Sequence, residues 1–107
     1  MLVVTTNDLA GYRIKANLGL VRGITVRSRS ALGNIGASIQ SFFGGNISIY
    51  TKLADTARQE ALDLLVEHAQ QMGGNAIIAM RFETNEIMDG ITEVLAYGTA
   101  VTVEQGQ

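Results

Sequence analysis

Between residues 13 and 27 polar and apolar positions alternate. Ile14, Ala16, Leu18, Leu20, Ile24 and Val26 fall on one side of an extended chain, with Arg13, Lys15, Asn17, Thr25 and Arg27 on the other. That period of two predicts a strand with one apolar face. At about 3.3 Å per residue the run would extend roughly 45 Å, too long to stay flat in a chain of this size. Gly19 and Gly23 are the expected bulges or bends, and the overhang is a natural place to pair with another chain.

Upstream, "LVVTT" (2–6) reads as a short strand ended by Asn7-Asp8 and Gly11. The longest helical pattern covers 48–72, with Leu53, Ala54, Ala57, Ala61, Leu64, Leu65, Ala69 and Met72 on one side and Lys52, Asp55, Gln59, Asp63, Glu67 and Gln70 on the other. Its apolar stripe is rich in alanine, which permits close approach to a sheet or another helix. "NAIIAMRFE" (75–83) and "TEVLAYGTAVTVE" (92–104) then read as two strands of a hairpin turning at Asp89-Gly90.

Residues 30–51 hold no charged side chain, and Leu32, Ile35, Ile39 and Phe42 or Phe43 follow a helical spacing behind Ser30. Four glycines and seven Ser, Asn or Gln residues between 30 and 48 break the apolar continuity that a membrane span needs. A short helix packed on the sheet or on a neighbouring subunit is expected. The whole chain is thus predicted to be a single α+β domain, an antiparallel sheet packed on one long helix plus a short helix.

Composition sharpens the expectation of a partner. Among the 107 residues 47% are apolar and 17% charged, against a charged fraction of about 25% in an ordinary soluble domain. Some apolar surface is therefore expected to meet another subunit. Residues 1–52 carry six Lys or Arg and one acid, whereas 53–107 carry two bases and nine acids. Such segregation suits contact between copies, although the cluster Arg13, Lys15, Arg22, Arg27 and Arg29 is also an electrostatic footprint that a nucleic acid would recognise. The segment "MLVVTTNDLAGYR" has none of the features of a signal peptide, and a cytoplasmic protein is expected.

The candidate chemistry is sparse. With no cysteine, thiolate catalysis, disulfides and cysteine metal sites are excluded. Gly73-Gly74 follows the long helix, at the negative end of its dipole, and reads as the helix stop with Asn75 starting the next strand. Gly44, Gly45, Asn46 and Ser48 precede that helix and form the better candidate for an anion or small ligand, but no phosphate-loop pattern accompanies them. Glu83 and Glu86 are candidates for a hard cation, at a spacing that matches no calcium loop. The single histidine, His68, lies on the apolar side of the helix, where it is expected to be a packed or interface residue. No acid, base and nucleophile stand together, so neither catalytic residues nor a cofactor are expected.

Taken in order, the words "VTT", "GLVRG", "FFGGN", the helix pattern Ala57-Arg58 with Ala61-Leu62, "GGNAII" and "YGTAV" resemble the YbjQ-like family of small uncharacterised bacterial proteins, described as heavy-metal-binding. The resemblance spans essentially the whole chain and is most specific at 57–62, 73–78 and 98–101. It implies a dodecin-like subunit, a sheet on a long helix, assembling into a ring-shaped homo-oligomer, a pentamer. The sequence departs from the family after "NAII": Arg81 stands at the first acid position, Glu83 keeps the second, and Thr84 replaces a tyrosine. A basic side chain at that place repels a cation.

The functional expectation is a ring-forming structural or binding protein without catalysis, its partner being itself. One alternative is a small-ligand or metal-cation binder using the ring cavity or the hairpin acids. Another is nucleic-acid binding through the basic strand.

Overall fold

A computed structural model describes residues 1–28 and 48–106, with side chains from Thr51 onward in the second segment. The elements in chain order are β1 (Leu2–Val3), β2 (Tyr12–Ser28), α1 (Ser48–Gln71), β3 (Ala76–Met88) and β4 (Ile91–Gln105). The short helix expected within 30–43 lies outside the described residues.

The four strands form one sheet in the order β1-β3-β4-β2. Both long pairings are antiparallel, but β1 runs parallel to β3, with Leu2 opposite Ala76 and Val3 opposite Ile77. The sheet is therefore mixed, where the sequence led us to expect a purely antiparallel one. The N-terminal segment continues along β3 beyond β1. Val4 N–H donates to Ile77 O at 2.9 Å, Met80 N–H to Val4 O at 3.0 Å and Ala79 N–H to Thr6 O at 2.8 Å. These bonds surround a bulge in β3 at which Ala79 takes a left-handed φ of 52°. Its counterpart on β4 is Gly98, where a Cβ would lie 2.8 Å from Ile77 Cγ2 and 3.0 Å from Ile78 O. The bulge fits because β4 has no side chain there.

The joint between α1 and β3 is built from local chemistry. Gly73 adopts φ 87°, Gly74 N–H donates to Ala69 O at 2.9 Å and Gly73 N–H to Gln70 O at 3.0 Å. This is a Schellman cap, satisfying carbonyls that the helix end would otherwise leave unpaired. Asn75 then works as a side-chain rung: its amide donates to Val103 O at 2.9 Å and its carbonyl accepts from Val103 N–H at 2.8 Å. At the far end the β3–β4 hairpin turns through Asp89-Gly90, with Gly90 at φ 77° and Met88 opposite Ile91.

Ala57, Ala61, Leu65 and Ala69 form the buried stripe of α1, four residues apart, and pack with Val21, Ile77, Met80, Val94, Ala96 and Ala100. The opposite face of the sheet has its own smaller core, where Ala76, Ile78, Val101 and Val103 are covered by Val4, Leu9, Tyr12 and Ile14. Among the described residues this cover reaches only one end of the sheet.

Two expectations for β2 are revised. Extra residues in β2 sit between Ile14 and Ala16 and between Asn17 and Gly19, so Gly19 (φ 116°) is at a bulge as expected. Gly23 is not a bend, since pairing with β4 is regular from Leu20 to Ser28. It is where the helix backbone comes nearest: a Cβ there would lie 2.5 Å from Leu65 N and closer still to Ala61 O. The second revision concerns the apolar side of β2. Leu18 packs into the helix-side core, but the side chains meeting α1 farther along are those of the other parity, Val21, Gly23 and Thr25. The Thr25 hydroxyl donates to Ala57 O at 3.3 Å. Leu20, Ile24 and Val26 face away from the helix.

Candidate functional site

The most unusual surface of the chain lies along β2. Among the described residues this strand is the last in the sheet, so alternate N–H and C=O groups point away from β4 with no described strand beyond them. Arg22 fixes the phase, because its N–H is donated to His68 Nδ1, at 3.2 Å, rather than to β4. Leu20, Ile24 and Val26 share that parity and also present their backbone outward. Their side chains line the face opposite α1, 64%, 40% and 51% exposed. An edge strand this long, carrying this much apolar surface, is a template for pairing unless something covers it.

α1 shapes the flank of the edge. Leu64 is exposed beside Ile24, and Arg22, Ile24, Leu64, Glu67, His68 and Gln71 line an open cleft of about 350 Å³. His68 accepts the Arg22 N–H bond through Nδ1. The residue expected to pack or to lie at an interface thus caps one N–H of the exposed edge.

The other end of the sheet also has a bare stretch. The N-terminal segment covers β3 only as far as Arg81, whose guanidinium donates to Thr5 O and Met80 O, each at 2.8 Å. That is the physical role of the base standing where the family resemblance placed an acid: it clamps the first residues against β3. Beyond it, Phe82 to Met88 have no strand on their outer side among the described residues. Ile87 and Met88 are exposed there, while the Phe82 ring is covered by the Arg58 guanidinium, 5.6 Å from its centroid.

The sequence candidates are not brought together. Glu83 and Glu86 are three residues apart in regular strand and therefore point to opposite faces. Glu83 accepts from the Tyr97 hydroxyl at 3.3 Å and Glu86 from Gly90 N–H at 3.1 Å. Among the described residues no three His, Asp or Glu side chains converge as a metal cluster would. Gly44, Gly45 and Asn46 lie outside the described residues, and Ser48 is the first residue of α1. The basic strand is largely neutralised within the chain: Arg13 and Lys15 both pair with Glu104, and Arg27 pairs with Glu60. No described helix is long and apolar enough to cross a membrane.

Sequence reasoning missed the Arg22–His68 contact and the Asn75 rung. The first joins residues 46 positions apart, and nothing local announces it. The second had a signal, an asparagine directly after a helix-stopping glycine pair and ahead of an apolar strand.

Comparisons with other proteins identify the family and the fold. A family model, YbjQ_1, described as "Putative heavy-metal-binding", matches residues 1–104. A UPF0145 protein of Burkholderia thailandensis is 60% identical over 100 residues, covering 94% of this chain and 90% of the relative. UPF0145 proteins of Burkholderia mallei and Burkholderia pseudomallei are 57% identical over the same length. Among solved structures, a protein of unknown function of the DUF74 family from Pediococcus pentosaceus has the same fold, with a TM-score of 0.57 at 22% identity, covering 97% of this chain and 98% of that one.

Proposed function

Since this chain belongs to the YbjQ family, we propose that it is a single-domain, dodecin-like subunit of a ring-shaped homo-oligomer, a pentamer, acting as a structural or binding protein without catalysis of its own. The observation that carries this reading is the edge and face of β2 that no described residue covers. Leu20, Ile24 and Val26 leave apolar side chains and backbone hydrogen-bonding groups together in solvent. A second strand would satisfy both at once. The charge segregation of the sequence supports self-association over a foreign partner, because one chain carries both the basic and the acidic surface.

A binding role follows from assembly. Glu83 and Glu86 point to opposite faces of β3, so a cation site built from them needs acids of two copies. Nucleic-acid binding draws less support than the sequence suggested, because Arg13, Lys15 and Arg27 are engaged by Glu104 and Glu60. Light scattering or native mass spectrometry tests the proposal. A closed multiple of the 11.4 kDa chain is expected at micromolar concentration, and a stable monomer refutes it.

A further inference from the structure

We infer that the outer edge of β2 in one copy pairs with the bare outer stretch of β3, Phe82 to Met88, in the next, joining the sheets head to tail. The inference rests on the assembly reading above and names the surfaces that meet.

The two surfaces are the two ends of one sheet, so their union is heterologous. Each copy offers a different edge, and the contact repeats until a rotation closes it. Their hydrogen-bonding groups are available in matching phase. Because Arg22 N–H points away from β4, its partner Tyr97 exchanges its backbone bonds with Arg81 of β3. That turns Arg81 inward and leaves Phe82 and Thr84 pointing outward. On β2 the equivalent groups are those of Leu20, Ile24 and Val26. His68 already holds the Arg22 N–H, so pairing from Ile24 onward leaves that contact in place.

The charges are complementary. β2 carries Arg13, Lys15, Arg22 and Arg27 and no acid, whereas Phe82 to Met88 carry Glu83 and Glu86 and no base. Arg13, Lys15 and Arg27 have acids within their own chain, but among the described residues no acid pairs with the Arg22 guanidinium. Arg22 and Glu83 occupy the same face of the sheet, opposite α1, since both flank the row Tyr97–Leu95 of β4 on that side. At the seam a base of one copy meets an acid of the next. Alongside them Ile24 and Val26 of one copy lie beside Ile87 of the other, so apolar surface exposed on both edges is covered together.

Proline at an outward position tests the seam, because it removes an N–H that no bond among the described residues uses. Ile24→Pro spoils the β2 edge and Thr84→Pro the β3 edge. With circular dichroism confirming the fold of each, native mass spectrometry should find both variants as 11.4 kDa monomers. Mixed in equal amounts they should form a one-to-one dimer, because each supplies the edge that the other retains, and growth stops there. Folded variants that keep the wild-type mass overturn the seam while leaving the assembly reading intact; a monomeric wild type overturns both. If either proline unfolds the chain, Arg22→Glu and Glu83→Arg decide. Singly they should dissociate the assembly, and combined in one chain they should restore it. Unchanged mass in both single variants overturns the inference.

Discussion

Substituting alanine at Gly23 adds one methyl group to the residue over which α1 crosses β2. The φ of Gly23 is not in the left-handed region, so the glycine is required for space and not for conformation. In an extended strand Gly→Ala would ordinarily stabilise, by about 0.4–1 kcal/mol, through the unfolded chain. Here the new Cβ would stand 2.5 Å from Leu65 N and 2.9 Å from Leu64 Cβ, and nearer still to Ala61 O. Ordinary carbon contacts begin near 3.5 Å, so the helix must retreat by roughly 1 Å, and a gap of that size forfeits a quarter to a half of each dispersion contact it opens. The contacts at stake are those of Ala57, Ala61, Leu65 and Ala69 with Val21 and the β4 alanines. Two of the three clashing atoms are helix backbone and cannot rotate aside, which places the cost at the upper end of the overpacking range, about 3 kcal/mol. For a chain of this size that lowers the melting temperature by roughly 12–24 °C.

The assay is thermal and urea unfolding of Gly23→Ala beside Gly73→Ala. Gly73 has open space around its Cβ position, and alanine there carries only the left-handed cost of about 1–2 kcal/mol. Gly23→Ala as stable as wild type, or no less stable than Gly73→Ala, would refute the claim that the helix backbone sits directly on β2.

Two further outcomes follow from the same structure. Asn75→Ala removes both hydrogen bonds to the Val103 backbone and should cost about 1–3 kcal/mol in urea unfolding; an unchanged midpoint would show that water replaces the rung. Because Arg13 and Lys15 share Glu104 at an exposed site, Glu104→Gln should change stability by only about 0–1 kcal/mol, while the wild type passes a heparin column unretained at low salt. Strong retention that falls steeply with salt would revive the nucleic-acid reading.

The parts of the fold legible in the sequence were those decided by neighbours in the chain. The helix at 48–71, its stop at Gly73 and the hairpin at Asp89-Gly90 each follow from propensity, periodicity or a residue that tolerates positive φ. The long strand was legible as a strand, but its covered side was not. Leu20, Ile24 and Val26 lie on the bare face, and beside Val21 the helix side owes its close fit to a glycine and a threonine. The parallel pairing of β1 with β3 was hidden because it joins residues more than seventy positions apart, and the β3 bulge because Ala79 is not a residue type that announces φ 52°. The candidate site was legible only in outline. Low charge and an overlong strand pointed to a partner, while His68 at the edge and Arg81 on the N-terminal segment depend on contacts between distant residues.

Amide hydrogen exchange tests the central claim most directly, because the outward N–H groups of Leu20, Ile24, Phe82 and Thr84 have no partner among the described residues. If copies close the sheet's edges, the amides of Ile24 and Thr84 should be protected about as strongly as those of Val21 and Thr25 where the protein is assembled, and lose that protection on dilution to monomer. Fast exchange at Ile24 and Thr84 at every concentration, with Val21 and Thr25 protected throughout, would contradict the account.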